Sequence, residues 1–286
     1  MNFFAHTRQL GRGIGLMVGA VLVGCGGSDG PTFSVSLNTP KYSQPLVLTV
    51  NNISSPVNVT ATGCTGLGLS TTAPYISTAT TAYYLCNAST LGAGQFVVTR
   101  ASDAAVLSTQ PFTVPLPQVT MTFSNGTTIN GSMVFALAPD KTPITVNNFL
   151  AYVKSGFYVG TVIHRVAPGF VIQGGGFVAP IIDTSGPLKA TNPPIALEVG
   201  KGLSNLQWTV AMARTTAANS ATSQFFINLV NNTSLDTSGG GYAVFGAVST
   251  GTPLVTQIAA ACTPAAGTSE CTPVPNVVIT AASQTQ

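Results

Sequence analysis

The chain has 286 residues, enough for two domains of ordinary size, and 45% of them are hydrophobic, so cores can form and a disordered chain is excluded. Only 6% are charged; polarity comes from Thr, Ser, Asn and Gln beside 30 Gly and 19 Pro, a mixture that favours strands and turns over long helices. The formal charge is +3, and losing an N-terminal segment that holds Arg8 and Arg12 leaves +1, which offers no electrostatic footprint for nucleic acid or an acidic partner.

The first 24 residues have the pattern of a secretory leader. Arg8 and Arg12 make a basic start, Ile14 to Val23 is an apolar stretch too short to span a bilayer, and Leu22-Val23-Gly24-Cys25 ends it. That tetrapeptide resembles the bacterial lipobox, whose cysteine is lipidated and becomes the new N-terminus. An ordinary signal peptide containing a cysteine is the alternative. Lipidation of Cys25 is favoured because Gly26-Gly27-Ser28-Asp29-Gly30 reads as a flexible tether. No Asp directly follows Cys25, which by the same resemblance predicts a membrane anchor in the outer membrane, facing the periplasm.

Residues 31–115 show short alternating runs: Phe33 to Leu37, Leu46 to Val50, Val57 to Thr60, Tyr83 to Leu85 and Gln95 to Thr99. Turn residues such as Asn51-Asn52 and Gly92-Ala93-Gly94 separate them, and the spacing predicts a small β-sandwich of immunoglobulin-like type. With Cys25 acylated, Cys64, Cys86, Cys262 and Cys271 remain, an even number for a compartment that permits disulfides. Three pairings exist; the one expected is Cys64 with Cys86 and Cys262 with Cys271, each bridge staying within one domain. A zinc site is the rival use of four cysteines, and no C-x-x-C spacing supports it.

Val114-Pro115-Leu116-Pro117 cannot sustain a sheet ladder and reads as a linker into a second domain, 118–284. There Val119 to Phe123 and Gly131 to Leu137 are predicted to pair as strands. Pro143 to Lys154 carries Pro at an early helical position and Val146, Phe149, Leu150 and Val153 on one face, which predicts an amphipathic helix. A second helix is expected over Pro253 to Ala260.

Three blocks carry the chemistry. The first is Val162 to Gly176, with Arg165, Phe170, Val171 and Gln173 on closely spaced β-type residues before a glycine run. The second is Val210 to Arg214 followed by Ser220 to Asn228; the third is Gly241 to Gly246. In this order and spacing, from about Val119 to Ala282, the chain resembles the cyclophilins, the peptidyl-prolyl cis/trans isomerases, and most closely their bacterial periplasmic branch. The resemblance implies a mainly β fold: a closed eight-stranded barrel capped by two helices, following the immunoglobulin-like sandwich. It also implies proline-containing polypeptides as partners, and isomerisation of X-Pro bonds during the folding of exported proteins, with no cofactor and no metal.

A peptide bond before proline isomerises over a barrier of about 18–20 kcal/mol because its C–N bond is partly double. No covalent bond to the catalyst is required. In the twisted state the nitrogen recovers its lone pair, so a fixed donor aimed at it binds the transition state better than the ground state. Arginine suits this role, being permanently charged with a rigid fork. By match to the family's motif, Arg165 is that donor. Phe170, Val171, Phe226 and Leu235 match the apolar pocket for the proline ring, and Tyr242 a further wall. Gln173 and Gln224 match the glutamines that fix the substrate carbonyl and the arginine, and Ala213-Arg214 the edge whose backbone pairs with the peptide. Read locally, the apolar members are ordinary barrel residues and Arg165 a surface ion-pair partner.

His164 would point away from Arg165 on a regular strand and reads as structural, not as a base. With the leader gone it is the only histidine, so no histidine-containing metal cluster is expected. Asp183 and Asp236 have no carboxylate partner at a suggestive spacing, and the run Gly174 to Gly176 lacks the context of a phosphate loop. Two positions depart from the family: Val171 where many members have methionine, and Ser234 where many are aromatic. Losing an aromatic ring at 234 removes a large apolar surface, and with it an indole donor in the members that have tryptophan, so weak cyclosporin binding is expected. The alternative function is a chaperone module that grips proline-containing segments with little turnover. An adhesion or structural lipoprotein dominated by the N-terminal domain is a third reading.

Overall fold

A computed structural model of the chain describes residues 32–183 and 186–286. The leader 1–24, Cys25 and its tether lie outside the described residues.

The N-terminal part contains β1 (Ser34–Leu37), β2 (Pro45–Asn51), β3 (Val57–Thr62), β4 (Thr65–Leu69), β5 (Thr81–Asn87), β6 (Gly92–Arg100) and β7 (Val106–Val114). They form two antiparallel sheets, ordered β1-β2-β5-β4 and β3-β6-β7. Alternation explains why both faces meet: Leu46, Leu48 and Val50 of β2 are buried in the same core as Phe96 and Val98 of β6 and Phe112 of β7. Cys64, in the turn between β3 and β4, is bonded to Cys86 on β5. Neither β4 nor β7 is legible as a strand in the sequence. β4 alternates only Gly with Leu67 and Leu69, and glycine weakens a strand signal, while β7 contains Pro111, tolerated because β7 is an edge strand.

The second part contains β8 (Gln118–Ser124), β9 (Asn130–Leu137), α1 (Pro143–Lys154), β10 (Thr161–Ala167), β11 (Val171–Val178), β12 (Thr209–Met212), β13 (Phe225–Asn228), β14 (Val244–Thr250), α2 (Thr252–Ala259) and β15 (Val277–Gln284). Eight strands close into a barrel in the order β10-β11-β13-β12-β14-β9-β8-β15. Closure removes every free edge, which lets a sheet of modest size stand in water without templating aggregation. The expected β8–β9 pair is present, and both expected helices occur within a residue of their predicted bounds.

Helix α1 buries Val146, Phe149, Leu150 and Val153. Phe149 is the keystone of the barrel interior, its ring centroid 4.9 Å from Phe245, 5.3 Å from Tyr158 and 5.9 Å from Phe225. Thr142 supplies no side-chain cap to this helix. The buried carboxylate of Glu198 does so from 53 residues away: its Oε2 accepts from the Thr145 N–H at 2.8 Å and the Thr145 hydroxyl at 2.7 Å, and its Oε1 from the Ile144 N–H at 3.2 Å. A negative group here satisfies orphan donors and meets the positive end of the helix dipole.

The two parts touch at the last strand. Gln284 at the end of β15 accepts from Lys41 Nζ through its carbonyl at 3.1 Å and from Gln44 Nε2 through its side chain at 3.0 Å, while its own Nε2 donates to the Tyr42 carbonyl at 2.9 Å. Replacing Glu198 by Ala is expected to destabilise the protein by about 2 kcal/mol, since it strands three donors at a partly buried helix start. Urea denaturation measures it, and an unchanged midpoint would show that water caps α1 as well as the carboxylate does.

Candidate active site

The site is built on the outer face of five consecutive barrel strands. Strand register sets Arg165 of β10 opposite Gln173 of β11, Gln173 opposite Phe226 of β13, Phe226 opposite Ala211 of β12, and Ala211 opposite Val244 of β14. Neighbours on the same strands face the other way: Ile172, Val210, Phe225 and Ile227 belong to the main core. Val171, Ala211, Phe226 and Val244 form a separate small cluster, joined by the partly buried Phe170, Ala213, Leu235 and Tyr242. Period-two alternation thus makes one sequence run serve two cores.

Strand β10 breaks that alternation where it matters. Ile163 pairs with Gly174 and Arg165 with Gln173, so two steps on β10 face one on β11, and His164 is the extra residue of a bulge. Ile163 and Val166 both lie in the main core, three residues apart instead of two. On a regular strand Arg165 would share the face of Ile163 and point into the barrel. The bulge turns it outward, to the rim of the hollow. His164 therefore does not simply oppose Arg165 as strand alternation predicts; its ring is buried edge-on to Phe177, with centroids 4.7 Å apart.

The hollow has a volume of about 180 Å3 and is lined by Arg165, Phe170, Val171, Gln173, Ala213, Arg214, Phe226, Leu235 and Tyr242. Gln224 stands behind it. Arg165 Nη1 donates to Gln173 Oε1 at 3.3 Å, and Gln173 Nε2 to Gln224 Oε1 at 3.0 Å, so one chain of amides backs the guanidinium. Gln224 lies flat across Gly176, where a Cβ would stand 2.7 Å from its Cγ; Gly175, at φ +86°, lies close to Phe225 and Tyr158. This accounts for the glycine run without any phosphate.

Arg214 is fully engaged as a strut. Its Nε donates to the Gly241 carbonyl at 2.9 Å, its Nη2 to the same carbonyl at 2.7 Å, and its guanidinium lies 4.6 Å from the centre of the Tyr242 ring. Tyr242 in turn meets Phe226 edge-on, with centroids 5.7 Å apart. The Ala213 N–H is taken by the Gln224 carbonyl at 2.9 Å, so at this edge Ala213 has only its carbonyl to present to an added strand. Ser234 is exposed on a 3-10 turn, Thr233–Asp236, beside the hollow.

A polar lattice beneath the hollow is not legible in the sequence. Asn232 Nδ2 donates to the Phe170 carbonyl at 2.8 Å and to Asn228 Oδ1 at 2.9 Å; Asn228 Nδ2 donates to Asn205 Oδ1 at 3.1 Å; Asn205 Nδ2 donates to Asp236 Oδ1 at 2.8 Å. Partial burial pushes the Asp236 carboxyl up, but donors from Ser204 and Asn205 outweigh it and hold the group below its ordinary range. Asp236 is thus an ionised anchor. The second feature missed is Glu270, whose Oε2 forms an ion pair with Arg165 Nε. It comes from the loop closed by Cys262–Cys271, the second disulfide of the structure. Only the proximity of Glu270 to a paired cysteine was available as a signal, and that does not place it against Arg165.

Residues 119–284 match the family model for cyclophilin type peptidyl-prolyl cis-trans isomerase/CLD. Peptidyl-prolyl cis-trans isomerase A of Dickeya dadantii is 46% identical over 160 residues, which cover 55% of this chain and 82% of that protein. Peptidyl-prolyl cis-trans isomerase B of Escherichia coli is 44% identical over 157 residues, covering 53% of this chain and 93% of that protein. A peptidyl-prolyl cis-trans isomerase of Acinetobacter baylyi is 49% identical over 131 residues, covering 45% of this chain and 67% of that protein. The chain belongs to the cyclophilin-type peptidyl-prolyl isomerase family, and its activity is the interconversion of cis and trans X-Pro bonds.

His164 supplies a test of the bulge. Burial first, and then the positive charge of Arg165, lowers its pKa from 6.5 to about 4. Its Nδ1 is buried with no partner among the described residues. A histidine held neutral in the fold but protonated when unfolded costs stability as pH falls from about 6.5, with the loss levelling off below about 4. The expected loss is on the order of 2–3 kcal/mol between pH 7.5 and 4.5. Urea titrations should show that much less acid sensitivity in His164→Phe than in wild type; equal sensitivity would mean that His164 is not a buried neutral group.

Proposed function

We propose that Arg165 is the donor that meets the imide nitrogen of an X-Pro bond as it twists, while Phe170, Val171, Phe226, Leu235 and Tyr242 hold the proline ring. The observation carrying this is the guanidinium at the rim of an apolar hollow, backed by Gln173 and Gln224. The ring's apolar surface gains from leaving water, and its fit fixes where the nitrogen sits relative to the fork. Gln173 is bonded to Arg165 in the free protein and is the group within reach to turn toward the substrate carbonyl. Extended peptide runs along Ala213-Arg214 in this scheme. As the C–N bond loses double-bond character, charge collects on a nitrogen that now accepts a hydrogen bond, and a donor already in place pays no reorganisation cost at that moment. No general base takes part, consistent with His164 being buried behind the bulge.

The cellular setting follows from the N-terminal pattern. Residues 1–24 act as a lipoprotein leader and Cys25 as the lipid anchor, holding the enzyme at the periplasmic side of the outer membrane, where its substrates are exported proteins whose folding waits on proline. Supporting this are the lipobox-like tetrapeptide and two disulfides, which need an oxidising compartment. The two N-terminal sheets sharing one core are read as an immunoglobulin-like sandwich that spaces the barrel from the membrane.

In a protease-coupled assay on an Ala-Pro peptide, Arg165→Ala is expected to lower kcat/KM by about 100-fold, equivalent to about 3 kcal/mol of transition-state stabilisation. An unchanged rate would remove Arg165 from the chemistry. Cyclosporin should inhibit weakly, and Ser234→Trp should tighten inhibition about tenfold by restoring apolar surface and an indole donor. Sub-micromolar inhibition of the wild-type protein would overturn that expectation.

A further inference from the structure

We infer that Glu270 is a positioning residue for Arg165: it holds the Nε edge of the guanidinium so that the Nη edge faces the hollow. The inference rests on Arg165 being the donor. Glu270 lies outside the three sequence blocks that carry the family resemblance, and among the described residues its ion pair with Nε is the one salt bridge made by a residue lining the hollow.

The fork is divided between two partners. Nε pairs with Glu270 Oε2 and Nη1 donates to Gln173 Oε1 at 3.3 Å, while Nη2 has no hydrogen-bond partner among the described residues. The guanidinium carbon also lies 5.9 Å from the centre of the Phe170 ring. A long arginine side chain free in solvent would sample many rotamers, and a donor that must be aimed loses rate with each of them. Anchoring Nε fixes the plane of the group and leaves donors on the far edge for a substrate. Arg165 is about a quarter exposed, so this pair orients more than it stabilises.

Glu270 is itself held on three sides. Cys271, its neighbour, exchanges two backbone hydrogen bonds with Val166, the residue after Arg165, at 2.8 and 2.9 Å. Thr272 donates to the His164 carbonyl at 2.6 Å, which ties the same segment to the bulge. The Cys262–Cys271 bond fastens it to the chain just beyond α2, which ends at Ala259. Thus the segment carrying Glu270 is strapped to the same three residues, 164–166, whose bulge turns Arg165 outward. A surface loop whose acid met an arginine by chance has no need of such a strap.

The test uses the full chain and reads kcat and KM separately on an X-Pro peptide, beside the 15N–1H resonance of the Arg165 Nε–H. Glu270→Gln is expected to lower kcat about tenfold with KM changed less than twofold, since the loss falls in the transition state. The Nε–H resonance should shift as its charged acceptor disappears, and Glu270→Asp should recover part of kcat. Replacing Cys262 and Cys271 together by Ser should lower kcat in the same direction but less. Wild-type kcat in Glu270→Gln, or a higher one, overturns the inference, the latter revealing an inhibitory contact. A fall in kcat with an unmoved Nε–H signal overturns it equally. If Glu270→Gln does not fold, Glu270→Asp carries the test: a smaller fall in kcat at constant KM supports the inference and wild-type kcat defeats it. Arg165→Ala separates the two levels, because an active Arg165→Ala refutes the donor itself, whereas an inactive one beside a silent Glu270→Gln refutes only the positioning.

Discussion

The one-residue bulge at His164 is the constraint on which the rest of the site depends. A closed barrel allows each strand only two faces, one for the interior and one for everything else. Ile163 and Val166 both serve the interior, so an unbroken strand would carry Arg165 inward with Ile163. Inserting His164 moves the arginine to the outer face beside Gln173 and Phe226. The extra residue is accommodated by packing its ring against Phe177 and leaving a buried nitrogen with no partner among the described residues. An unsatisfied buried nitrogen costs stability, and here that cost accompanies the outward turn of one side chain.

Around that side chain the structure places partners on more than one edge of the guanidinium. The Gln224–Gln173 chain backs the guanidinium from one side and Glu270 from the other. Beneath the hollow, asparagines 205, 228 and 232 link the Phe170 carbonyl to the ionised Asp236, so the rings that line it rest on a hydrogen-bonded floor. Such networks are strong only when every member is satisfied, which is why the lattice ends on an ionised carboxylate that accepts from Ser204 and Asn205. Arg214, by contrast, spends its guanidinium on the Gly239 and Gly241 carbonyls and on Tyr242, and so braces the wall of the hollow.

Legibility in the sequence followed the range of the interaction. Helix α1 was visible because Pro143 and the spacing of Val146, Phe149, Leu150 and Val153 are local signals. Its cap was not, because Glu198 comes from 53 residues away. The alternating strands β2 and β6 were visible, while β4, in which only Gly separates Leu67 from Leu69, and β7, interrupted by Pro111, carry a weaker local signal.

By itself, the order of residues determined the class of fold, the two helices, the family and the set of side chains that gather round the hollow, because period, turn chemistry and motif are properties of neighbours along the chain. Only the tertiary structure decided which way Arg165 points, what caps α1, what lies under Phe170 and which acid meets the guanidinium. Each of these depends on register or on contacts between distant segments. A single inserted residue reverses the face of a strand, and no local pattern records where the barrel puts it.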